Sequence, residues 1–329
     1  MDFGEILFSG LRSAFGPTAA AYALLAIGLN MHYGFTGLLN FGQVGFMLVG
    51  AYGVGITVAT LGWSMWIGIV VGMLAAVVLA LVLGIPTLRL RSDYFAITTI
   101  AVAEVLRLLV RSSAAEPVTG GPFGLQSIAG EFYSINPVPV GSYGIGSLTY
   151  SHQQLWVLIV TWALALLMSL LLVALMRSPW GRIIKAIRED EDAARALGKN
   201  VFSLKMQSLV IGGVIGSLGG AMFAISGSTV NADTYFPQIT FFAYTILILG
   251  GAASRFGPML GAVLFWFLFS AINTGLRQAA SIDALPAFMQ GGGATGAVAL
   301  TAVGLALMLL MIFRPQGLLG NRREMMLNA

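Results

Sequence analysis

The stretch RSPWGRIIKAIREDEDAARALGKNVFSLK (177–205) decides the architecture of this chain. It holds seven of the seventeen basic residues, including all three lysines, and four of the thirteen acids. Long apolar segments flank it on both sides. Charges at this density do not lie in hydrocarbon. The stretch must therefore sit on a water-exposed face of a membrane protein.

The composition supports a membrane protein and excludes several other classes. The chain is 57% hydrophobic and 9% charged, whereas a soluble domain carries about 25% charged residues. The net charge of +4 comes from bases beside apolar segments, where they anchor topology, so we expect no nucleic-acid partner. Without cysteine, disulfides and thiol chemistry are excluded. The two histidines have no metal-ligand spacing, so we predict no metal site.

Nine long apolar segments predict an all-α polytopic domain that occupies residues 1–329. A hydrocarbon core of about 30 Å needs roughly 20 apolar residues per helix. The stretch GFTGLLNFGQVGF (34–46) is rich in glycine and polar residues, so the second span either is regular or begins as a broken or re-entrant helix. This leaves eight to ten spans, which we place near 13–31, 38–60, 65–88, 94–111, 154–176, 206–227, 238–253, 257–275 and 292–313.

The distribution of Lys and Arg predicts the orientation. With nine spans, the bases at 89–91, 177–205, 255 and 314–323 lie on one side, while the loop 112–152 on the other side contains none. By the positive-inside rule, the N-terminus is outside, the C-terminus is cytoplasmic and 112–152 is extracytoplasmic. Acids precede the first base, which is the wrong order for a cleavable signal peptide, so we expect the first span to be retained.

A short capped helix is predicted within 177–205. Its dipole favours negative charge at the start, and glycine closes a helix in the left-handed conformation. About nine residues make a rod of roughly 13 Å, which is too short to be stable alone and so needs a partner surface. The pattern consists of the acids Glu189, Asp190, Glu191 and Asp192, an apolar stripe of Ala193, Ala194 and Leu197, the base Arg195, and the closing Gly198.

The run DAARALG (192–198) resembles the EAAxxxG signature of bacterial ABC importer permeases, with Asp192 in place of Glu. The wider stretch 181–205 resembles the branched-chain amino acid permease family. Further segments that match this family in the expected order are SDYFAITTIAVAEVLRLL (92–109), TGGPFGL (119–125), GGAASRFGPMLGAVL (250–264) and FRPQGLLG (313–320). Together they cover most of the chain and indicate the larger of the two paired permease subunits.

The resemblance implies a transport subunit, not an enzyme, in a bacterial inner membrane. It implies that residues 189–198 form a coupling helix in a groove of a separate ABC ATPase, which uses ATP and Mg; this chain binds no cofactor and has no phosphate-binding GxxxxGK[ST] loop. The implied partners are ATPase subunits, a second paralogous permease and an extracytoplasmic binding protein. The implied substrates are leucine, isoleucine and valine, with urea or short amides as the alternative.

Polar and small residues within the spans are further candidates. Glycines at 212, 216 and 220 form a small-residue face, which either packs against a neighbouring helix or lines the transport pathway. The polar side chains at 30, 40 and 43 either join helices or line that pathway. The residues concerned are Asn30, Asn40, Gln43, Gly212, Gly216 and Gly220.

Glu104 lies well inside a span, three residues before Arg107. Such a carboxylate is a functional candidate, but the spacing also permits a local ion pair. We expect a structural or mouth-lining pair and not a proton relay. An ion-coupled secondary transporter, the main alternative from another class, needs membrane carboxylates near the midplane, and Glu104 is the sole acid well inside a span.

The outer loop contains a turn-rich segment followed by several aromatic residues. It is expected to be a folded cap over the helices, a landing surface for the binding protein, or both. The residues proposed for docking are Thr119, Gly120, Gly121, Pro122, Phe123 and Gly124.

Overall fold

The computed structural model describes residues 2–145, 148–281, 292–313 and 316–320. Two π-helical segments, Asn30–Phe35 and Ile56–Thr60, extend the second and third α-helices. The short strands pair as β1 with β4 and β2 with β3, both antiparallel. The helices are α1 Phe3–Phe15, α2 Pro17–Leu29, α3 Gln43–Gly55, α4 Met65–Thr87, α5 Ser92–Arg111, α6 Glu116–Thr119, α7 Gly130–Ser134, α8 His152–Arg177, α9 Pro179–Glu189, α10 Glu191–Ala196, α11 Val201–Gly227, α12 Gln238–Gly250, α13 Gly257–Ser281 and α14 Gly292–Phe313; the strands are β1 Leu125–Gln126, β2 Ser142–Ile145, β3 Leu148–Ser151 and β4 Thr229–Val230.

The predicted all-α polytopic class is confirmed, and each predicted span overlaps at least one helix. Among the described residues, five helices have the length and hydropathy of a membrane span, and α1 with α2 make a sixth if that bent pair is one span. The other predicted spans correspond to α5, which carries several charges, to α12, which has only 13 residues, and to α14. The predicted bases at Arg314, Arg322 and Arg323 lie outside the described residues.

The first predicted span, 13–31, is divided in the structure. Gly16 is extended and Pro17 begins α2, because proline supplies no N–H for a preceding helical turn but suits a first helical position. The axis bends by 47° there. The separate helix α1 packs against α13, with Ser9 Oγ donating to Thr274 Oγ1 at 2.9 Å. The N-terminal residues therefore add a helix that the apolar pattern missed.

The second predicted span begins as a broken helix, which is one of the two alternatives that the sequence left open. Residues 37–42 are not helical, and Gly37 has a φ of +77°. Both Asn40 and Gln43 are fully buried. Irregular backbone at membrane depth needs protein or water around it to satisfy its polar groups, and here protein surrounds it.

Helix α11 lies at the centre of the bundle and packs closely on α2, α3 and α4. The close approach depends on glycine, since a Cβ at Gly220 would lie 1.9 Å from the carbonyl oxygen of Met47, and one at Gly50 would lie 2.0 Å from that of Ser217. The predicted glycine face is therefore a packing surface between helices.

The turns with predicted cytoplasmic bases gather at one end of the bundle. Arg91 and Lys205 line one cavity there, and Arg177 and Arg255 line another. At the opposite end, β1 of the loop 112–152 pairs with β4, which follows α11. We refer to these as the basic end and the outer end.

Candidate functional site

The loop at the basic end folds as two helices, α9 and α10, joined at Asp190. Asp190 is extended, and its carboxylate accepts hydrogen bonds from the backbone N–H of Asp192 and Ala193, both at 2.9 Å. Asp190 is thus the N-cap of α10. The predicted helix began at Glu189, but Glu189 ends α9, because the cap at Asp190 interrupts the helical backbone.

Helix α10 ends as the sequence predicts. Gly198 has a φ of +77°, and the backbone N–H of Lys199 donates to the carbonyl of Ala194 at 3.2 Å. This six-to-one hydrogen bond around a left-handed glycine is a Schellman motif, which satisfies a carbonyl that the helix leaves unpaired. The short helix is therefore capped at both ends.

The predicted apolar stripe is divided between two faces. Ala194 is only 5% exposed and packs with Ile187 and Val201 inside the loop. Leu197, by contrast, is 79% exposed, and Ala193 is exposed as well. Successive helical residues are about 100° apart, so Ala194 points inward while Ala193 and Leu197 share the outer face. The prediction of a single apolar stripe is therefore wrong for Ala194, which does not share the outer face.

Ion pairs lie along α10, and one of them joins it to α11. Arg195 donates to Glu191 at 2.9 Å and to Asp192 at 2.8 Å; such exposed pairs contribute little stability. Lys205 of α11 is more sheltered, with 14% of its side chain exposed, and it pairs with Glu191. Glu191 therefore holds α10 against the first turns of the central helix.

Arg188 joins the loop to the broken segment between α2 and α3. Its Nη1 donates to the carbonyl oxygen of Gly34. Its side chain also packs on Gly37, where a Cβ would lie 3.3 Å from Arg188 Cγ. Sequence reasoning did not single out Arg188, because its partner lies far away in the chain.

A buried polar network lies directly beyond this contact. His32 Nε2 is 3.0 Å from the carbonyl oxygen of Leu209 on α11, and His32 Nδ1 is 3.0 Å from Asn40 Nδ2. A carbonyl only accepts, so the His32 proton lies on Nε2 and Nδ1 accepts from Asn40. Asn40 Nδ2 also donates to Gln43 Oε1 at 3.1 Å, and Gln43 Nε2 donates to the carbonyl of Gly212 at 3.3 Å. The network joins the break to α11.

Asn30 makes a second junction at the same level. Its Nδ2 donates to the carbonyl of Ser254 at 2.9 Å, and its Oδ1 accepts from the backbone N–H of Ala253 at 2.8 Å. Asn30, Asn40 and Gln43 therefore all join separate segments of the bundle. Gly216 belongs to this arrangement, since a Cβ there would lie 2.5 Å from Gln43 Nε2. Sequence reasoning did not select His32, although a lone histidine in an apolar span was a usable signal.

The expected ion pair of Glu104 is present at the outer end of α5. Arg107 Nε and Nη2 donate to the two Glu104 oxygens at 2.9 and 2.6 Å. Arg107 Nη1 reaches Asp233 at 3.2 Å, and Arg111 Nε reaches the same carboxylate oxygen at 2.8 Å. The Arg107 guanidinium also lies 4.6 Å from the ring centroid of Phe236. Two acids and two bases thus fix α5 to the turn after β4.

The predicted docking segment 119–124 is mostly a folded cap. Thr119 is buried, and its Oγ1 donates to the carbonyl of Val110 at 2.6 Å. A Cβ at Gly124 would lie 2.2 Å from the carbonyl oxygen of Val230; Gly120 and Gly121 also have positive φ. Pro122 is exposed, and Phe123 is 78% exposed. Only these two side chains present a surface to a partner.

Metal binding has no support in the part of the chain that the structure describes. Among those residues, no three His, Asp or Glu side chains are grouped so that they could hold a metal ion.

Comparison with known proteins gives one family and several relatives. A family model described as the permease component of the branched-chain amino acid transport system matches residues 14–313. The high-affinity branched-chain amino acid transport system permease protein LivM of Escherichia coli is 30% identical over 313 residues, covering 92% of this chain and 68% of that protein. A probable LivM of Methanocaldococcus jannaschii is 24% identical, covering 92% and 91%. LivH of Escherichia coli is 26% identical, covering 80% and 83%.

Two solved structures show a distant likeness. PsaBC from Streptococcus pneumoniae in complex with Fab matches with a TM-score of 0.43 and 15% identity, covering 93% of this chain and 92% of that chain. The inward-facing conformation of a putative metal-chelate type ABC transporter matches with a TM-score of 0.44 and 15% identity, covering 92% of this chain and 85% of that chain.

Proposed function

The chain belongs to the branched-chain amino acid transport permease family, and from this premise we propose that it is the membrane-spanning subunit of an ATP-driven importer of leucine, isoleucine and valine. Its relatives LivM and LivH are named as permease proteins of that transport system. The bundle of apolar helices supplies the membrane domain. A separate ABC ATPase supplies the energy, and a second permease and a soluble binding protein complete the importer.

The exposed tip of α10 is the observation that carries this proposal. Leu197 extends into solvent, and a Cβ at Gly198 would meet nothing within 4 Å. The helix behind this tip is capped at both ends and held by Glu191 and Lys205. Leu197 shares this outer face with the exposed Ala193, so the capped helix presents an apolar surface at the charged end of the bundle, where a partner protein can contact it. We assign that partner as the ATPase.

The contacts behind α10 offer a path by which ATPase movements reach the membrane helices. Helix α10 packs on α9 through Ala194 and Ile187. Arg188 of α9 in turn bonds the carbonyl of Gly34, beside the His32–Asn40–Gln43 network. We propose that displacement of the loop moves this break, and that the break moves α11 relative to α2 and α3.

The orientation and the outer partner follow from the same proposal. The positive-inside rule places the basic end, and with it α10, in the cytoplasm. The loop 112–152 then faces outward. Phe123, exposed beside Pro122 on an otherwise packed cap, is proposed as the contact for the binding protein.

Ion-coupled transport gains no support from the charges within the helices. The carboxylate of Glu104 is held by Arg107 at the outer end of α5, whereas a coupling carboxylate is expected near the midplane. The substrate of this chain needs its own test, because urea and short amides are the alternatives to branched-chain amino acids. Co-purification with the binding protein, followed by titration with leucine, valine and urea, distinguishes them.

The decisive experiment changes Leu197 to Asp in the complete importer. Burying one leucine contributes about 1.5–3 kcal/mol, so Leu197→Asp should reduce co-purification of the ATPase, and ATP-dependent leucine uptake, by roughly tenfold or more. The matched control is Val140→Asp, which makes the same kind of change at a residue that is 89% exposed in the outer loop; it should leave ATPase co-purification unchanged.

Two results would contradict the proposal. If the Leu197→Asp variant shows normal ATPase co-purification and normal uptake, α10 does not bind the ATPase. If vesicles that contain only this polypeptide accumulate leucine, transport does not require a separate ATPase.

A further inference from the structure

We propose that the chain binds one phospholipid, from the leaflet at the outer end, in a composite site formed by α1, α8 and α13. A polar pocket at the outer end, the outer pocket, holds the phosphate. An apolar groove further along the same helices, the apolar groove, holds an acyl chain. The site is separate from α10 and does not depend on the proposed transport function.

The outer pocket has a volume of about 410 Å³ and contains a cation, Arg12. Arg12 is exposed, and its guanidinium lies 5.9 Å from the ring centroid of Tyr150. The ion pairs of the described chain do not include Arg12, and no carboxylate is found among the described residues that line the pocket. A guanidinium beside such a cavity favours an anionic ligand, and its planar set of donors suits phosphate oxygens.

Neutral donors complete the lining of the outer pocket. Gln154 Oε1 accepts from the backbone N–H of Ser151 at 3.3 Å, which leaves the side-chain nitrogen of Gln154 as a donor. Helix α2 begins here, since Thr18 lines the pocket and Gly16, the N-cap, has no side chain to cap the helix. The first N–H groups of a helix have no partner within it and lie at the positive end of its dipole. These donors add to the attraction that Arg12 exerts on phosphate.

Trp266 supplies an independent indication of a ligand. It lines the outer pocket, and its Nε1 is buried without a hydrogen-bond partner in the described part of the chain. A buried donor without a partner costs free energy. The ester carbonyls of a phospholipid lie next to its phosphate and accept hydrogen bonds, so a bound lipid supplies the missing partner.

The apolar groove has a volume of about 440 Å³ and is lined by apolar side chains, among them Phe15, Trp162 and Leu166. The polar atom of the indole is already used, since Trp162 Nε1 donates to the carbonyl of Phe15 at 2.9 Å. The groove therefore suits an acyl chain and not a polar ligand. Phe15 lines the groove and the next residue, Gly16, lines the outer pocket, so the two parts are neighbours where α1 meets α2.

The two parts also lie along one face of α13. Met259 and Val263 line the groove, while Trp266 and Ser270 line the outer pocket. Their spacings of four, three and four residues keep them on one side of a helix. At 1.5 Å per residue this face extends about 16 Å, and half of a hydrocarbon core is about 15 Å. The site thus has the length of one lipid leaflet, with the ester level at Trp266.

Native mass spectrometry of the full chain in mild detergent, with phosphatidylglycerol added, tests the outer pocket. Arg12→Gln should lose about tenfold in affinity, because a hydrogen bond from a charged donor is lost. The matched control is Arg277→Gln, which removes an exposed cation of α13 outside the pocket and should stay within about twofold of the wild type. Arg12→Lys keeps the charge and should bind more tightly than Arg12→Gln. Diacylglycerol with the same acyl chains lacks the phosphate and should bind at least tenfold more weakly.

Trp266→Phe tests the ester level of the site. The variant keeps an aromatic ring but lacks the indole N–H, so its affinity for ester-linked phosphatidylglycerol should fall by about two- to tenfold. An ether-linked phosphatidylglycerol has no ester carbonyl, so the variant should bind it as tightly as the wild type does. Equal losses for the two lipids would overturn the proposal, because Trp266 would then act through packing alone.

A further arm separates a lipid from free phosphate and from a protein occupant. Val263→Trp fills the apolar groove and should weaken phosphatidylglycerol binding, whereas Val78→Trp, the same change at a position of α4 that is 58% exposed, should not. Excess inorganic phosphate should not displace the lipid. Equal losses in Arg12→Gln and Arg277→Gln, equal losses in the two tryptophan variants, tight binding of diacylglycerol, or displacement by phosphate would overturn the proposal. So would a lipid-free dimer that dissociates on Val263→Trp, since the groove would then hold a second copy of the chain.

Discussion

Arg188 on α9 donates a hydrogen bond to the backbone carbonyl of Gly34, where the first membrane helix gives way to irregular chain. The two residues are 154 positions apart. This contact is the direct link between the loop at the basic end and the interrupted helix at the centre of the bundle. The His32–Asn40–Gln43 network lies beside Gly34, and we propose that a displacement of α9 reaches the membrane helices through it.

Arg188→Gln should separate ATP hydrolysis from transport. The exposed tip at Leu197 is unchanged, so the ATPase should still co-purify, while leucine uptake should fall about tenfold because a hydrogen bond from a charged donor is lost (about 1.5–3 kcal/mol). Uptake by reconstituted vesicles is measured beside ATPase activity. Arg182→Gln, exposed on the same helix, is the control, and equal losses of uptake in both variants would argue against a specific role for Arg188.

Ala194→Leu should loosen the loop without altering its outer face. Ala194 is buried against Ile187 and Val201, and extra methylenes in a packed core cost about 1–3 kcal/mol. We expect faster limited proteolysis near residues 189–200. Ala193→Leu adds the same atoms on the exposed face, so the protease should cleave this variant at the wild-type rate. Unchanged protease resistance of Ala194→Leu would mean that this packing does not hold the loop.

Gly220→Ala should destabilise the bundle. The new Cβ would lie 1.9 Å from the carbonyl oxygen of Met47, so two helices must separate, at a cost of about 1–3 kcal/mol or more. A lower Tm in detergent is the expected result. Gly304→Ala is the control, because a Cβ there meets nothing within 4 Å and alanine favours a helix by up to about 1 kcal/mol. Equal Tm values for the two variants would contradict this packing.

Arg107→Met should cost more stability than Arg111→Met. The Arg107 side chain is 8% exposed and bonds both Glu104 and Asp233, while that of Arg111 is 46% exposed and bonds Asp233 alone. Hydrogen bonds to charged groups contribute about 1.5–3 kcal/mol, whereas exposed ion pairs contribute about 0–1 kcal/mol. Thermal unfolding ranks the two variants. Adding Glu104→Gln to Arg107→Met should restore part of the loss, since it removes the carboxylate left without Arg107.

Single cysteines test the orientation, because the chain has no cysteine of its own. Gly141→Cys, at an exposed position of the outer loop, should react with a membrane-impermeant maleimide in intact cells. Lys199→Cys, exposed at the basic end, should react only after the membrane is opened. The reverse pattern would invert the proposed topology and place α10 outside.

Local patterns were enough to predict most helices and the C-terminal end of α10. Runs of apolar residues predicted the spans because each helix needs a set length of hydrocarbon-compatible side chains. Gly198 was predicted as a helix end because its left-handed backbone is a property of that residue. The ion pair of Glu104 with Arg107 followed from their spacing on one helix. In each case the partners lie within a few residues of one another.

The sequence by itself therefore determined most of the helices, which turns share an end of the bundle, and that the loop 177–205 contains a short helix closed by Gly198. Only the tertiary structure decided that Ala194 points inward, that Asp233 completes the Arg107 pair, and that Arg188 bonds Gly34. The physical reason is that hydropathy and capping act over a few residues, whereas these contacts join segments far apart in the chain.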